Sequence, residues 1–188
     1  MENDQVLLNC ALALFSQRGY DAVSVREIVE AAGVTKPTLY HYFSSKRGLL
    51  DALVNREAGL LLVRVTPAAD FHGDLVLTLE STVRAYFEFA QVHTVFYRFH
   101  LACYFSPPES EVNQAMRPFI DQQTAMLEDL FKRAAENHGN LRGKQGRLAV
   151  SLLGEINALI GLHLNGKLDL SDAIVFQTIH QFMYGIFS

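Results

Sequence analysis

Apolar residues recur along almost the whole chain at spacings of three and four, the period of a helix buried on one side, and no stretch alternates long enough to read as a strand. The first helix is expected over Gln5 to Gln17, with Leu7, Cys10, Ala11, Leu14 and Phe15 facing inward and Arg18-Gly19 ending it. Ser24 and Glu27 have the spacing of a capping box, and Val25, Ile28, Val29 and Ala32 follow until Gly33, a natural C′ residue. A third, two-turn helix follows the N-cap Thr35. Pro37 is tolerated there only because it falls in the first turn, Leu39 and Phe43 lie four apart and face inward together, and Ser44-Ser45 offers the next cap.

The fourth helix is predicted from about Lys46 to Val65, closed by Thr66-Pro67, with Leu49, Leu50, Leu53, Val54, Leu60 and Leu61 apolar. Helix five covers about Asp74 to Val92, and an aromatic-rich sixth runs from His93 to Phe105 before Pro107-Pro108 breaks it. The stretch from Glu109 to Asn137 contains Pro118, so it must kink or divide there. Gly139, Gly143 and Gly146 mark a turn, helix eight spans about Gln145 to Asn165, and helix nine starts at the N-cap Ser171 with Leu170 and Val175 placed for a hydrophobic staple. The pattern describes an all-α protein of about nine helices. It divides into an N-terminal three-helix unit over 1–47 and a larger helical part over 48–188.

The third helix carries the wrong residues for plain packing. Lys36, Thr38, Tyr40, His41 and Tyr42 cover all of it except the Leu39–Phe43 side, a surface of rings, hydroxyls and cations. Two short helices joined through Gly33-Val34-Thr35 make a helix-turn-helix, whose second helix enters the major groove of DNA. The run Gly33-Val34-Thr35-Lys36-Pro37-Thr38-Leu39-Tyr40-His41-Tyr42-Phe43, followed by Ser45-Lys46 opening a long helix, resembles the N-terminal domain of the TetR family of transcriptional regulators. The resemblance runs from about Val6 to Leu53; beyond it only the helical layout is comparable.

That resemblance implies a helical C-terminal domain for ligand binding and dimerisation, and contacts at matching positions. Arg26 would read a base edge, with guanine preferred because a guanidinium bonds O6 and N7 together. Lys36, Pro37, Thr38 and Tyr40 would face bases or nearby sugar, and Ser24, Thr35, Tyr42 and Lys46 would hold phosphates. The implied function is a homodimeric, ligand-responsive regulator, most often a repressor. It would sit on a palindromic operator and be released by a small hydrophobic or aromatic effector. An architectural DNA-binding protein of the same fold with no effector is the alternative, and a small helical enzyme or carrier a more distant one.

Charge changes the picture locally. The net charge of −4 looks wrong for a DNA binder, yet the first fifty residues are neutral, and between Ala31 and Leu50 there are three cations and no acid. A polyanion can approach that stretch without meeting a carboxylate. Lys46 and Arg47 open the fourth helix, where the macrodipole disfavours cations, and a phosphate at that helix start would reverse the sign.

With 49% hydrophobic and 19% charged residues the chain is apolar, which fits burial against a partner chain. Helix eight places Gly154, Ala158 and Gly161 in a row of small residues. On helix nine Ile174, Val175, Ile179, Phe182, Met183, Ile186 and Phe187 form a band too wide for one neighbour. Gly154, Ala158, Gly161, Ile179, Phe182 and Met183 are therefore expected at a dimer interface built as a four-helix bundle.

On the sixth helix His93, Tyr97, His100 and Tyr104 share one face and Phe96, Phe99 and Cys103 the next. Rings with polar tips suit a pocket for a hydrophobic or aromatic molecule, so Phe87, His93, Phe96, Tyr97, His100 and Tyr104 are the candidate effector residues, with ordinary core as the plainer reading. His93 and His100 alone do not make a metal site, and no catalytic or cofactor signature occurs, so no metal, no cofactor and no enzymatic activity are expected. Cys10 reads as a buried thiol. No apolar run approaches the roughly 18 residues that span a bilayer, and the N-terminus lacks a basic n-region, which points to the cytoplasm.

Overall fold

The computed structural model describes residues 2–185, and among these the secondary structure is nine α-helices, one 3-10 turn and no strand. They are α1 (Glu2–Arg18), α2 (Val25–Ala32), α3 (Lys36–Phe43), α4 (Lys46–Ala68), α5 (Leu75–Val92), α6 (Thr94–Tyr104), α7 (Glu111–Asn137), α8 (Gln145–Leu164) and α9 (Asp172–Tyr184), with the 3-10 turn at Gly139–Leu141. Ile186 and Phe187, expected in the apolar band of α9, lie outside the described residues.

Several expected boundaries move for identifiable reasons. α4 does not stop before Pro67 but carries it in its last turn. The N–H that proline lacks would have bonded the carbonyl of Val63, a residue on the solvent side, 75% exposed, and the next turn still closes through Ala69 N to Val65 O at 3.0 Å. α7 is one helix through Pro118. His93 does not begin α6; it ends α5, with its N–H on Phe89 O at 2.8 Å and its ring stacked on Phe89 at 4.2 Å.

The chain forms two compact units, and neither is continuous in sequence. The first comprises Met1–Gly59 and Val95–Pro118, the second Leu60–Thr94 and Phe119–Ser188. A boundary at 47/48 therefore falls inside the first unit.

In the first unit α1 packs on α2 and α3, burying Leu7, Leu8, Ala11, Leu12, Phe15, Ile28, Val29 and Leu39. The inward stripe of α1 is rotated from the expected one: Leu8 and Leu12 are buried, while Cys10 and Leu14 are half-buried, so Cys10 is not the enclosed thiol expected. The ring of Phe15 meets Tyr20 at 5.1 Å and Phe99 of α6 at 6.2 Å. The Tyr20 hydroxyl donates to Glu111 Oε2 of α7 at 2.6 Å, and burial followed by that bond pushes its ionisation above the ordinary tyrosine range. The helix pair α2–α3 is thus seated on a base that includes α6 and the start of α7.

In the second unit α5 packs on α8 and α9. Tyr86, fully buried, donates to Gln123 Oε1 at 3.1 Å, and Gln91 Nε2 bonds Leu170 O at 3.1 Å. Leu170 and Val175 are both buried at the start of α9, as a hydrophobic staple requires. α8 has a mean hydropathy of 1.3 over an 18-residue window, enough by length and composition alone to cross a membrane, and only a third of that window is buried. A helix apolar on both sides needs cover on both sides.

Candidate nucleic-acid interface

Local rules fix the first two turns of the head. Ser24 Oγ accepts from Glu27 N at 3.3 Å, and Glu27 Oε2 accepts from Ser24 N at 2.8 Å and Ser24 Oγ at 2.7 Å, a complete capping box. Those bonds to Ser24, with Arg18 Nη1 2.7 Å from Oε1, hold the Glu27 carboxyl down to about 2. At the other end Gly33 adopts φ +65°, and the N–H groups of Gly33 and Val34 return to Glu30 O and Val29 O at 3.2 and 3.0 Å. The chain then turns into α3. Thr35 has the extended backbone of an N-cap, yet its side chain caps nothing; its hydroxyl pairs with that of Thr38 at 2.9 Å.

α3 buries Leu39 and half-buries Phe43 and Thr38, leaving Lys36, Pro37, Tyr40, His41 and Tyr42 outward. The rings of His41 and Tyr42 meet edge to face at 5.2 Å. Among the described residues Lys36 is the head's cation without an ionic or hydrogen-bonding partner. Arg26, exposed on α2, donates Nε to Glu30 Oε1 at 2.6 Å. That pair is solvent-facing, so it holds the guanidinium only loosely.

The corner between α3 and α4 is tight. Ser44 takes φ +61°, unusual for a residue with a Cβ, Ser45 N bonds Phe43 O at 2.7 Å, and Ser45 Oγ caps α4 by accepting from Gly48 N at 2.9 Å. A Cβ on Gly48 would lie 2.0 Å from Phe43 O, so this glycine is what lets α4 start so close to the end of α3.

Lys46 departs from its expected place. Its Nζ donates to Tyr20 O at 2.6 Å and sits 3.9 Å from the centre of the Tyr20 ring, and this burial lowers its pKa. The side chain is turned in toward the α1–α2 connection because a carbonyl and a ring face are both within reach there. It ties the start of α4 to the α1–α2 connection. Arg47 is likewise engaged, with Asp51 at 2.8 Å.

The other expected groups fare unevenly. Phe87, Phe96, Tyr97 and His100 are buried, and His93 and Tyr104 half-buried. His93 ends α5 and so does not share a face of α6 with Tyr97, His100 and Tyr104 as expected; Phe87 and His93 belong to the second unit, whereas Phe96, Tyr97, His100 and Tyr104 belong to the first. Of the expected interface residues, Gly154 and Ala158 are exposed and Gly161, Phe182 and Met183 half-buried, but Ile179 is 2% exposed and offers no surface. On the opposite side of α9 Phe176, His180 and Tyr184 stand one turn apart with ring centres at 5.8 and 4.9 Å. Phe176 is 60% and Tyr184 62% exposed, and Val150 and Leu162 stand exposed on α8. No group of three or more His, Cys, Asp or Glu able to hold a metal occurs among the described residues.

The surface of α3 and its neighbours meets the requirements for lying along a duplex groove. It is helical, free of carboxylates between Ala31 and Leu50, and set with donors and rings. Residues 7–53 match the sequence model described as bacterial regulatory proteins, tetR family. The transcriptional activator FasR of Mycolicibacterium smegmatis is 38% identical over 92 residues, covering 49% of this chain and 42% of that protein. The transcriptional repressor KstR2 of Mycobacterium tuberculosis is 33% identical over 87 residues, covering 46% and 44%. The chain thus spans less than half the length of these curated relatives in the matched regions. The crystal structure of the regulator FadR from Bacillus subtilis in complex with stearoyl-CoA superposes with a TM-score of 0.80 at 17% identity, over 97% of this chain and 98% of that one, a likeness of fold. With the head motif, its capping geometry and the helical fold in agreement, this chain belongs to the TetR family of bacterial transcriptional regulators.

Proposed function

We propose that this protein is a homodimeric, cytoplasmic DNA-binding repressor that occupies a roughly palindromic operator and leaves it when a small apolar or aromatic effector binds. The observation that carries the reading is the exposed, carboxylate-free surface of α3, with Lys36 unpaired and Arg26 beside it on α2. In the complex α3 lies in the major groove. Arg26 exchanges Glu30 for a guanine edge, Lys36, Pro37, Thr38 and Tyr40 face bases and sugar, and Ser24, Thr35 and Tyr42 hold phosphates. The amide groups that open α4 take the phosphate role first given to Lys46.

The dimer is supported by the uncovered apolar sides of α8 and α9. Gly154 and Ala158 allow close helix approach, and Phe176 and Tyr184 supply area, so two copies of the pair would form a four-helix bundle. Two heads on a two-fold axis address half-sites about 34–36 Å apart. Selecting genomic fragments on the immobilised protein and titrating one by fluorescence anisotropy tests the reading. We expect a two-fold symmetric site whose affinity falls steeply with salt. Retention of fragments sharing no sequence would sink it.

The full burial of Phe96, Tyr97, Phe99 and His100 favours a second reading, an architectural DNA-binding protein with a filled core. Thermal-shift screening that never finds a stabilising small molecule would decide for it.

A further inference from the structure

His100 stands on α6 in the first unit, 1% exposed, with Phe96, Tyr97 and Tyr104 around it at ring-centre distances of 6.0, 5.4 and 6.5 Å. Its Nδ1 lies 3.4 Å from Met116 Sδ. A thioether can only accept, so the ring that makes this contact carries its proton on Nδ1, and Nε2 is a bare lone pair. That Nε2 is buried and has no hydrogen-bond partner. Burial pushes the imidazole down to about 4, so near pH 7 the ring stays neutral and gains no second N–H.

The neighbouring buried amide behaves in the ordinary way. Asn113 gives Nδ2 to the carbonyls of Cys103 and Ser106 at 3.4 and 3.1 Å and accepts from Arg117 at 2.7 Å. Buried polar atoms are as a rule satisfied, and an exception inside an aromatic wall points to a group supplied from outside. The group it wants is a donor. Carboxylates and fully ionised phosphates only accept and do not fit this atom, whereas a hydroxyl on an aromatic ring does, its ring meeting the surrounding rings edge to face.

We propose that His100 is the polar anchor of an effector site in the first unit, its Nε2 accepting a hydrogen bond from the hydroxyl of an uncharged phenol-like molecule. This rests on the effector-responsive part of the function proposed above and adds the class of ligand.

The test is calorimetric titration of the full chain at pH 7 with 2-naphthol and with 2-methoxynaphthalene, which keeps the ring and lacks the donor. The hydroxyl compound should bind at least about tenfold tighter, the ratio that corresponds to one net hydrogen bond. His100→Phe should abolish that preference by weakening 2-naphthol alone. Equal affinities in the unsubstituted protein, binding of neither compound, or a preference that survives H100F would each overturn the proposal. A second measurement needs no ligand: His100→Leu removes an unsatisfied acceptor and should raise Tm. A lower Tm would mean that Nε2 is already satisfied inside the protein, which also overturns it. DNA affinity of the unliganded chain is measured separately, so loss of the DNA-binding reading is distinguishable from loss of this one.

Discussion

Replacing Gly48 by alanine puts a methyl group where the fold has no room. The new Cβ would lie 2.0 Å from Phe43 O and 3.2 Å from Phe43 C, both backbone atoms that cannot swing aside. Carbon–oxygen contacts begin at about 3.3 Å, so the carbonyl must retreat by about 1.3 Å. That carbonyl accepts the 2.7 Å bond from Ser45 N, and moving it loosens the turn that delivers α4. Overpacking costs about 1–3 kcal/mol and the lost bond about 1, while exchanging glycine for alanine within a helix returns about 1. The net destabilisation is about 2 kcal/mol, or a fall in Tm of about 4–8 °C for a chain of this size. Gly59 supplies an internal control, because it lies in the same helix with nothing within 4 Å of its added Cβ. Gly59→Ala should raise Tm by about 2–4 °C. Thermal denaturation followed by circular dichroism reads both. If G48A were as stable as G59A, the close approach at the α3–α4 corner would be refuted.

Three further outcomes follow from the same geometry. The Glu27 carboxyl is held below its unfolded value near 4.5, so its contribution to stability is complete above about pH 4.5 and is lost as pH falls toward about 2; urea denaturation over that interval should show a smaller loss in Glu27→Gln than in the unsubstituted chain, and equal losses would contradict it. Lys46→Gln removes a charged donor from Tyr20 O and should lower unfolding stability by about 1–2 kcal/mol while leaving the salt slope of DNA binding unchanged; a slope shallower by about one unit would mean that Lys46 does reach a phosphate. Phe176→Asp combined with Tyr184→Ser should convert the dimer to monomer in sedimentation velocity and leave the helical content intact, whereas Ile179→Ala should lower Tm without changing assembly. The reverse pattern would put the interface on the inner side of α9.

The head was readable because its determinants are local. A capping box needs residues three apart, a C′ glycine needs only its own φ, and Leu39 with Phe43 announces the inner side of a two-turn helix; each rule acts within one element. The misplacements have the opposite origin. Whether Lys46 reaches outward depends on Tyr20, which is 26 residues away, and nothing between them reports that approach. Gly48 reads in sequence as a mild helix defect, since the carbonyl it must clear belongs to the preceding helix. His93 fits the apolar rhythm of α6 as well as that of α5, and only the bond to Phe89 O decides. On α9 the band was wide enough for two inner faces, so spacing could say that two partners were needed but not which side each would take.

The discontinuity of the first unit bears on how such regulators could be recombined. A graft that transplants only the helix-turn-helix, cut after α3 or early in α4, would leave Phe15 and Tyr20 facing whatever α6 and α7 the recipient provides. Phe99 and Glu111 would stay behind with the donor. A chimera meant to keep the DNA specificity of this head under another sensor should therefore carry residues 95–118 as well as 1–59, two segments joined by their packing though separated in sequence. In lineages that shuffle heads and sensors, Phe15, Tyr20, Phe99 and Glu111 would have to be inherited together, and the seam for exchange would pass through the middle of α4, the first turn of α6 and the body of α7.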